Sequence, residues 1–251
     1  MIIKKNNSQI EKIRNSCKLA AKCLDFIEPY VKPNVSTNYL NELISNFIKD
    51  NNAVAAPLGY FGFPKETCIS INEVICHGIP SERLLAEGDI ANIDVTVILD
   101  GYFGDTSRMY EVGQISQEAK DLLNATKQSL EVGIEAVKPD VPFNYIGHAI
   151  TQYLKNTKYS IVDKFVGHGC GIKFHEEPKI CHYVNKKFKD FGPKIQPGMI
   201  FTIEPMINLG SPDCTILEDK WTAVTVDKKL SAQYEHMVLC TEEGCEVLTK
   251  L

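Results

Sequence analysis

Asn92–Arg108 reads NIDVTVILDGYFGDTSR, an apolar, β-branched run interrupted at Asp100-Gly101. Asp-Gly between two such runs is a two-residue hairpin turn, because both turn positions require positive φ. With Asp100 and Gly101 as the loop, Leu99 pairs with Tyr102, Val97 with Gly104 and Thr96 with Asp105. Strand side chains alternate faces, so Asp94 shares a face with Thr96 and with its partner Asp105. The two carboxylates are then diagonal neighbours with backbones about 7–8 Å apart, near enough for their side chains to converge. Buried on one face they repel, unless protons, cationic side chains or metal ions lie between them. A metal is the expectation taken forward, and the rest of the chain has to supply its other ligands. A bulge near Gly104 would shift Asp105 and break this pairing.

The 251 residues suffice for a substantial core, and 44% hydrophobic with 24% charged residues is globular composition. Neither a linker nor a low-complexity stretch divides the chain, so residues 1–251 read as one catalytic domain. A net charge of −5 argues against a protein that grips nucleic acid through its phosphates, and no DNA partner is expected. Lys186, Lys187 and Lys189 form a small basic cluster that reads as a solvated loop. The nine cysteines are odd in number and form no CxxC, and no secretory signal precedes them. Reduced thiols in a cytoplasmic protein are the expectation. No apolar run approaches the roughly 18 residues that span a bilayer, so no membrane association is expected either.

Residues 8–30 carry a helical stripe of Ile10, Ile13, Cys17, Ala20, Ala21, Leu24 and Ile27, closed by Pro33. Ser36 or Thr37 caps a second helix bearing Leu40, Ile44, Phe47 and Ile48. In the loop at 54–64, Tyr60, Phe61 and Phe63 alternate with Gly and Pro, either as packing under a loop or as an apolar pocket wall. Cys68–His77 reads as extended. Ser116 opens a third helix and a fourth begins near Pro142, with His148 on it as an ordinary histidine. Residues 160–168, 199–207 and 231–240 read as strands, the last two each placing a glutamate among apolar neighbours. Two helices followed by strands thus occur twice, near 8–112 and 116–248. The class is α+β with mostly antiparallel strands in two halves of similar plan.

Five residues stand out as hard to bury without a purpose: Asp94, Asp105, His168, Glu204 and Glu235. One imidazole with four carboxylates is an oxygen-dominated set that suits manganese, iron(II), cobalt or zinc. Four carboxylates can neutralise two divalent cations, and a pair about 3.5–4 Å apart lowers the pKa of a bridging water. Spacing alone does not select these five. The wording around them narrows the choice: His168 lies in GHGCG, His175 in FHEEP, Glu204 in TIEP, Glu235 in YEH and His77 in CHGIP.

The ordered set ICHGIP, NIDV with GDTS, GHG with FHEEP, TIEP and SAQYEH closely resembles the type I methionine aminopeptidases, over nearly the whole chain. The resemblance implies the pita-bread fold, two pseudo-symmetric halves with a curved, mostly antiparallel sheet around a dinuclear metal site. It implies two divalent ions, drawn from cobalt, manganese, iron(II), zinc or nickel. Asp94 would chelate one, His168 and Glu204 would hold the other, and Asp105 and Glu235 would bridge. The implied reaction is removal of the initiator methionine from nascent polypeptides with a small second residue, by attack of a metal-activated water. Glu204 would accept and pass on the water's proton. His77 and His175 would bind the substrate amide and the developing oxyanion. The methionine pocket maps onto Tyr60, Phe63, Cys68, Phe174 and Trp221, with Trp221 as a lid at the mouth.

Some positions depart from the family pattern. Phe63 stands where tyrosine is frequent and Pro57 where cysteine is, so pocket polarity would differ. Cys170 stands where an aliphatic residue is usual, which would put a thiol near the metals and make the protein sensitive to oxidants or thiol reagents. The chain starts directly at the catalytic region, so any transient ribosome contact would come from that region itself. A monomer is expected. The rivals are a prolidase or aminopeptidase P, which usually carry a further N-terminal domain, and a catalytically dead relative, which characteristically loses metal ligands.

Overall fold

The hairpin forms in the expected register. The computed structural model describes residues 2–184 and 192–251, so the lysine cluster at 186, 187 and 189 lies outside the described residues. The chain begins with α1 (Asn7–Ile27), α2 (Thr37–Asp50), β1 (Val54–Ala55), β2 (Cys68–Ile71), β3 (Val74–Cys76), β4 (Ile90–Leu99) and β5 (Tyr102–Glu111). It continues with α3 (Gln117–Glu135), α4 (Asn144–Leu154), β6 (Ser160–Ile161), β7 (Gly167–Gly169), β8 (Glu176–Ile180), β9 (Ile200–Ile203) and β10 (Met206–Asn208). The last strands are β11 (Cys214–Ile216), β12 (Ala223–Thr225), β13 (Ser231–Gln233), β14 (His236–Cys240) and β15 (Cys245–Val247).

β4 and β5 pair without interruption from Ile90↔Glu111 to Leu99↔Tyr102, with Thr96 opposite Asp105 and no bulge at Gly104. Asp100 (φ 51°) and Gly101 (φ 80°) supply the two positive-φ positions of the turn. The other edge of β4 carries β2 and, further along, β1. Alternation then divides the strand. Ile93, Val95 and Val97 bury against Ala20, Leu24, Leu40 and Ile44 of α1 and α2. Asn92, Asp94 and Thr96 point to the opposite face. Gly104 lies beneath α1, where a Cβ would sit 2.3–2.5 Å from the backbone of Ser16 and Cys17, so only glycine lets the helix lie this close.

In the second half α3 and α4 play the same part. Leu122, Leu130, Ile146 and Ile150 pack against Phe201, Ile203 and Val238 of a five-stranded sheet ordered β15-β14-β9-β7-β8. Every strand pairing among the described residues is antiparallel, and each helix pair backs the strands of its own half, α3 and α4 also packing on Ile207 of β10 and Ala232 of β13, in line with the expected α+β, two-halved plan.

Helix starts follow side-chain caps. Asn6 and Gln9 form a reciprocal capping box at α1, and Ser36 and Ser116 accept backbone N–H groups at α2 and α3. α1 gives way to a tighter turn at Glu28–Tyr30, which contains Pro29. Pro29 lacks the N–H the ladder needs next, so it ends the helix rather than Pro33.

Four stretches expected as single strands are broken. Residues 160–168 hold only β6 and β7 at their two ends, in a three-stranded and the five-stranded sheet respectively. Cys68–His77 folds back at Asn72 (φ 55°) into β2 and β3. The run 199–207 splits at Glu204-Pro205, where β9 of the five-stranded sheet gives way to β10 of a three-stranded one. The run 231–240 splits at Tyr234-Glu235 and changes between the same two sheets. Glu204 and Glu235 therefore stand where a strand leaves one sheet for another, and their backbone N–H groups are bonded outside the ladders, to His182 Nε2 and Ser107 O. The second of these ties the halves together, with Thr106 Oγ1 donating to Glu235 O and Asn92 Nδ2 to Gln233 O.

No helix among the described residues is long and apolar enough to cross a membrane. All nine cysteines are free thiols, as expected.

Candidate metal centre

The face of the hairpin that carries Asp94 and Asp105 looks into a cavity of about 740 Å³. Its walls include all twelve site residues expected from the sequence: Asp94, Asp105, His168, Glu204 and Glu235; His77 and His175; Tyr60, Phe63, Cys68, Phe174 and Trp221. The acidic residues and His168 come from four separate places: the hairpin, β7, and the two breaks at Glu204 and Glu235. Ligand atoms of Asp94, Asp105 and Glu235 lie within 4.8 Å of one another, as do those of His168, Glu204 and Glu235.

The protonation pattern shows what is missing among these groups. His168 Nδ1 lies 3.0 Å from the Gly169 carbonyl, which can only accept, so Nδ1 carries the proton and Nε2 presents its lone pair. That nitrogen is 3.7 Å from both Asp105 Oδ2 and Glu204 Oε1. Burial holds the imidazole neutral, its pKa lowered to about 3, so it offers the carboxylates no charge. Burial likewise pushes Asp94, Glu204 and Glu235 well above the usual carboxylate range, with repulsion from the neighbouring carboxylates adding to it. Burial raises Asp105 to about 7, against the pull of the Thr96 hydroxyl that donates to it at 2.7 Å. Acceptors thus converge; Lys164 and Lys179 line the same cavity, but among the described residues no Lys or Arg forms an ion pair with these carboxylates, and a divalent ion fits the donor set.

Neighbouring groups orient these ligands. Thr202 Oγ1 donates to Glu204 Oε1 at 2.7 Å and accepts the His168 N–H at 2.9 Å, fixing two candidate ligands with one hydroxyl. Gln233 Nε2 reaches Glu204 Oε2 at 3.2 Å, and the fully buried ring of His182 accepts the Glu204 N–H at 3.0 Å. These residues were not singled out from sequence; their only signal is a polar side chain within an apolar run. Cys170 groups with Asp105 and His168 at ligand distance, yet it is fully buried among Ile13, Cys17, Ile200 and Met237 and does not line the cavity. Burial pushes its thiol well up, which keeps it protonated and opposes the reagent sensitivity expected from sequence.

His77 sits on the turn after β3 with φ 56°, a conformation a non-glycine residue adopts at a cost. The turn is pinned by Gly78, whose N–H donates to Ser70 Oγ and whose carbonyl accepts from Ile69. Burial lowers the pKa of His77, and its ring packs edge-on against Phe165 at 5.4 Å. His175 stacks on Tyr60, and its Nδ1 lies 2.9 Å from the Tyr60 hydroxyl. With Tyr60 donating, the neutral ring keeps its proton on Nε2. Burial against its neighbours, then the nearby His77, hold its pKa below the ordinary value. Phe63 meets Trp221 edge-on at 5.2 Å, and Phe165 and Met206 complete the apolar wall, two residues the sequence reading did not assign to it.

The metal-free protein is expected to lose stability as pH rises above about 6.5. A carboxyl raised in the folded state keeps its proton while the unfolded chain's carboxyl, near pKa 4, has lost it. The folded state then binds more protons at these carboxyls. Below about pH 6.5 the buried histidines, neutral in the fold and protonated in the unfolded chain, act in the opposite sense, so the net fall begins above about pH 6.5, runs through about 7, where Asp105 titrates, and continues as the other three carboxyls ionise. Thermal melts in chelator across that window read this out, and a melting temperature that is flat or rising would refute it.

Residues 11–242 match metallopeptidase family M24. The methionine aminopeptidase of Rickettsia prowazekii is 51% identical over 240 residues, covering 95% of this chain and 91% of that protein. The chain belongs to the type I methionine aminopeptidases of that family. The Haemophilus influenzae methionine aminopeptidase is 48% identical over 248 residues, with 98% of this chain and 91% of the relative covered. A crystal structure of the Rickettsia prowazekii methionine aminopeptidase matches with a TM-score of 0.96 at 48% identity, covering 100% of both chains. Like other metallopeptidases of family M24, this methionine aminopeptidase is a metal-dependent hydrolase, and divalent cations are its cofactor.

Proposed function

We propose that the enzyme removes the initiator methionine from nascent polypeptides whose second residue is small, using two divalent cations. The observation that carries this reading is a single cavity lined both by the five-donor cluster and by an aromatic and sulfur-bearing wall. Asp94 would hold one cation, His168 and Glu204 the other, and Asp105 and Glu235 would be shared. Glu235 supports the sharing because it groups at ligand distance with Asp94 and Asp105 and also with His168 and Glu204. Four carboxylates balance two divalent charges. Bound there, the cations would acidify a water and polarise the scissile carbonyl. Metal analysis of protein purified without added metal would identify them among cobalt, manganese, iron(II), zinc and nickel.

The chain's own groups do the rest. Glu204, with one oxygen held by Thr202 and the other by Gln233, accepts the attacking water's proton and delivers it to the leaving amine. His175, its proton directed to Nε2 by Tyr60, and His77 donate to the substrate amide and to the oxygen on which charge develops. Tyr60, Phe63, Cys68, Phe174 and Trp221 enclose the methionine side chain, whose thioether gains from apolar burial and sulfur–ring contact. Trp221, edge-on to Phe63, serves as the lid.

A peptide panel tests this. Met-Ala-Ser is expected to release methionine, a bulky second residue such as Leu to suppress release, and Xaa-Pro peptides lacking Met to remain intact. Cleavage confined to Xaa-Pro peptides would overturn the assignment in favour of a prolidase, and no release by metal-reconstituted protein would favour a binding role.

A further inference from the structure

The segment before α1 reaches the active site through one buried ion pair. Lys5 Nζ lies 2.7 Å from Glu176 Oε2, with the two side chains only 1% and 2% exposed. The Lys5 backbone is fixed as well, its N–H donating to Gly198 O at 2.8 Å. Glu176 is the residue after His175 and the first of β8. Its other oxygen, Oε1, accepts the backbone N–H groups of Ile172 at 2.7 Å and Lys173 at 2.8 Å. The loop from Gly171 to His175 is therefore folded around this carboxylate. Gly171, at φ 124°, starts it against Ile13 of α1, where a Cβ would fall 2.6 Å from Ile13 Cδ1. Phe174 and His175, the two residues this loop presents to the cavity, follow directly.

We propose that Lys5 is a positioning residue for His175, acting through Glu176. The proposal rests on the reading of His175 as a substrate-binding donor. A carboxylate this buried keeps its charge only with a cation or several donors against it. Lys5 supplies the cation, and the two loop N–H groups supply the donors. Without the ammonium, Oε2 is left buried and unpaired, and the carboxylate relieves that by turning toward water. In turning it releases Ile172 and Lys173, and the loop that aims His175 loses its fold. Displacement of about 1 Å in a positioning group costs about 10²-fold in rate. The pair joins residues 171 positions apart, so the segment before α1 is part of the site's framework.

A double-mutant cycle tests this, since residues that act through one another fail to add. Lys5→Met is expected to lower kcat on Met-Ala-Ser about 10–100-fold, as loss of an orienting partner does. Metal stoichiometry stays at the wild-type value. Lys5→Arg, which keeps charge and donors, retains most of the activity. In the His175→Ala background, Lys5→Met is expected to cost no more than about twofold. An undiminished cost in that background overturns the proposal, because Lys5 would then act on the fold generally. So does wild-type kcat in Lys5→Met while His175→Ala is impaired. If His175→Ala alone is unimpaired, the donor role of His175 falls instead, and the role of Lys5 with it. Should Lys5→Met be unfolded at the assay temperature, Lys5→Met with Glu176→Gln leaves no unpaired buried charge and keeps an amide oxygen to accept from Ile172 and Lys173, so most of the activity is expected to return; a loss of about 10-fold or more in that folded double variant overturns the proposal.

Discussion

Asp105→Ala is expected to abolish both metal retention and activity. Asp105 is 3% exposed, raised to about 7 by burial, and adjacent at once to Asp94, Glu235 and His168 Nε2. Removing it takes one of the four carboxylates from the cluster proposed to hold the cations, and with it oxygens close to Asp94, Glu235 and His168. Metal catalysis of this kind is worth several kcal/mol, and each 1.36 kcal/mol is tenfold, so a loss of about 10³-fold in kcat/KM is expected. Metal analysis of the purified variant should show substoichiometric content even after reconstitution. Thermal melts discriminate further. With metal present the variant melts below the wild type, whereas in chelator it melts no lower, because one member of a repelling buried set is gone. A variant that holds full metal and loses only rate would show that Asp105 is not a ligand.

How legible was this site beforehand? The hairpin was read to the residue, since Asp100-Gly101 permits one two-residue turn, and a turn fixes every cross-strand pair above it. The Thr96–Asp105 hydrogen bond follows from that register alone. Asp94 and Asp105 follow from strand alternation on that hairpin, whereas the other ten residues of the cavity wall rest on motif wording and the family resemblance, because the segments that carry them lie tens of residues apart in sequence.

The breaks at the two glutamates were not foreseen. MIFTIEPMI and SAQYEHMVLC read as continuous apolar strands, and hydropathy does not report a change of sheet. Pro205 was a usable signal, since proline cannot donate to a ladder. Tyr234-Glu235 has no such punctuation, and only the contact from Ser107 shows why the strand ends there. The same limit hid Lys5, His182 and Gln233. Each is defined by a partner far along the chain, and an isolated polar residue in an apolar run does not say which partner it has. Cys170 failed in the other direction. Its place beside His168 was right, but its burial among apolar side chains, which decides its reactivity, depends on the packing of α1.

His77→Ala is expected to leave the metals in place and remove about 10²–10³-fold of kcat, the cost of losing one donor to a developing oxyanion. The site argues for that split. His77 is in neither of the five-donor cluster's ligand groupings, yet it lines the same cavity. It is held at positive φ on a turn that Gly78 locks against Ile69 and Ser70, so its backbone conformation is maintained by surroundings that alanine would not disturb. Burial keeps its ring neutral, which lets it donate without adding a positive charge beside bound cations. KM should change far less than kcat, because a donor aimed at charge that exists only in the transition state contributes little to ground-state binding. Metal stoichiometry measured beside Asp105→Ala separates the roles. Equal metal loss in the two variants would make His77 part of the metal-holding framework, and a rise in KM with kcat preserved would make it a ground-state binding group.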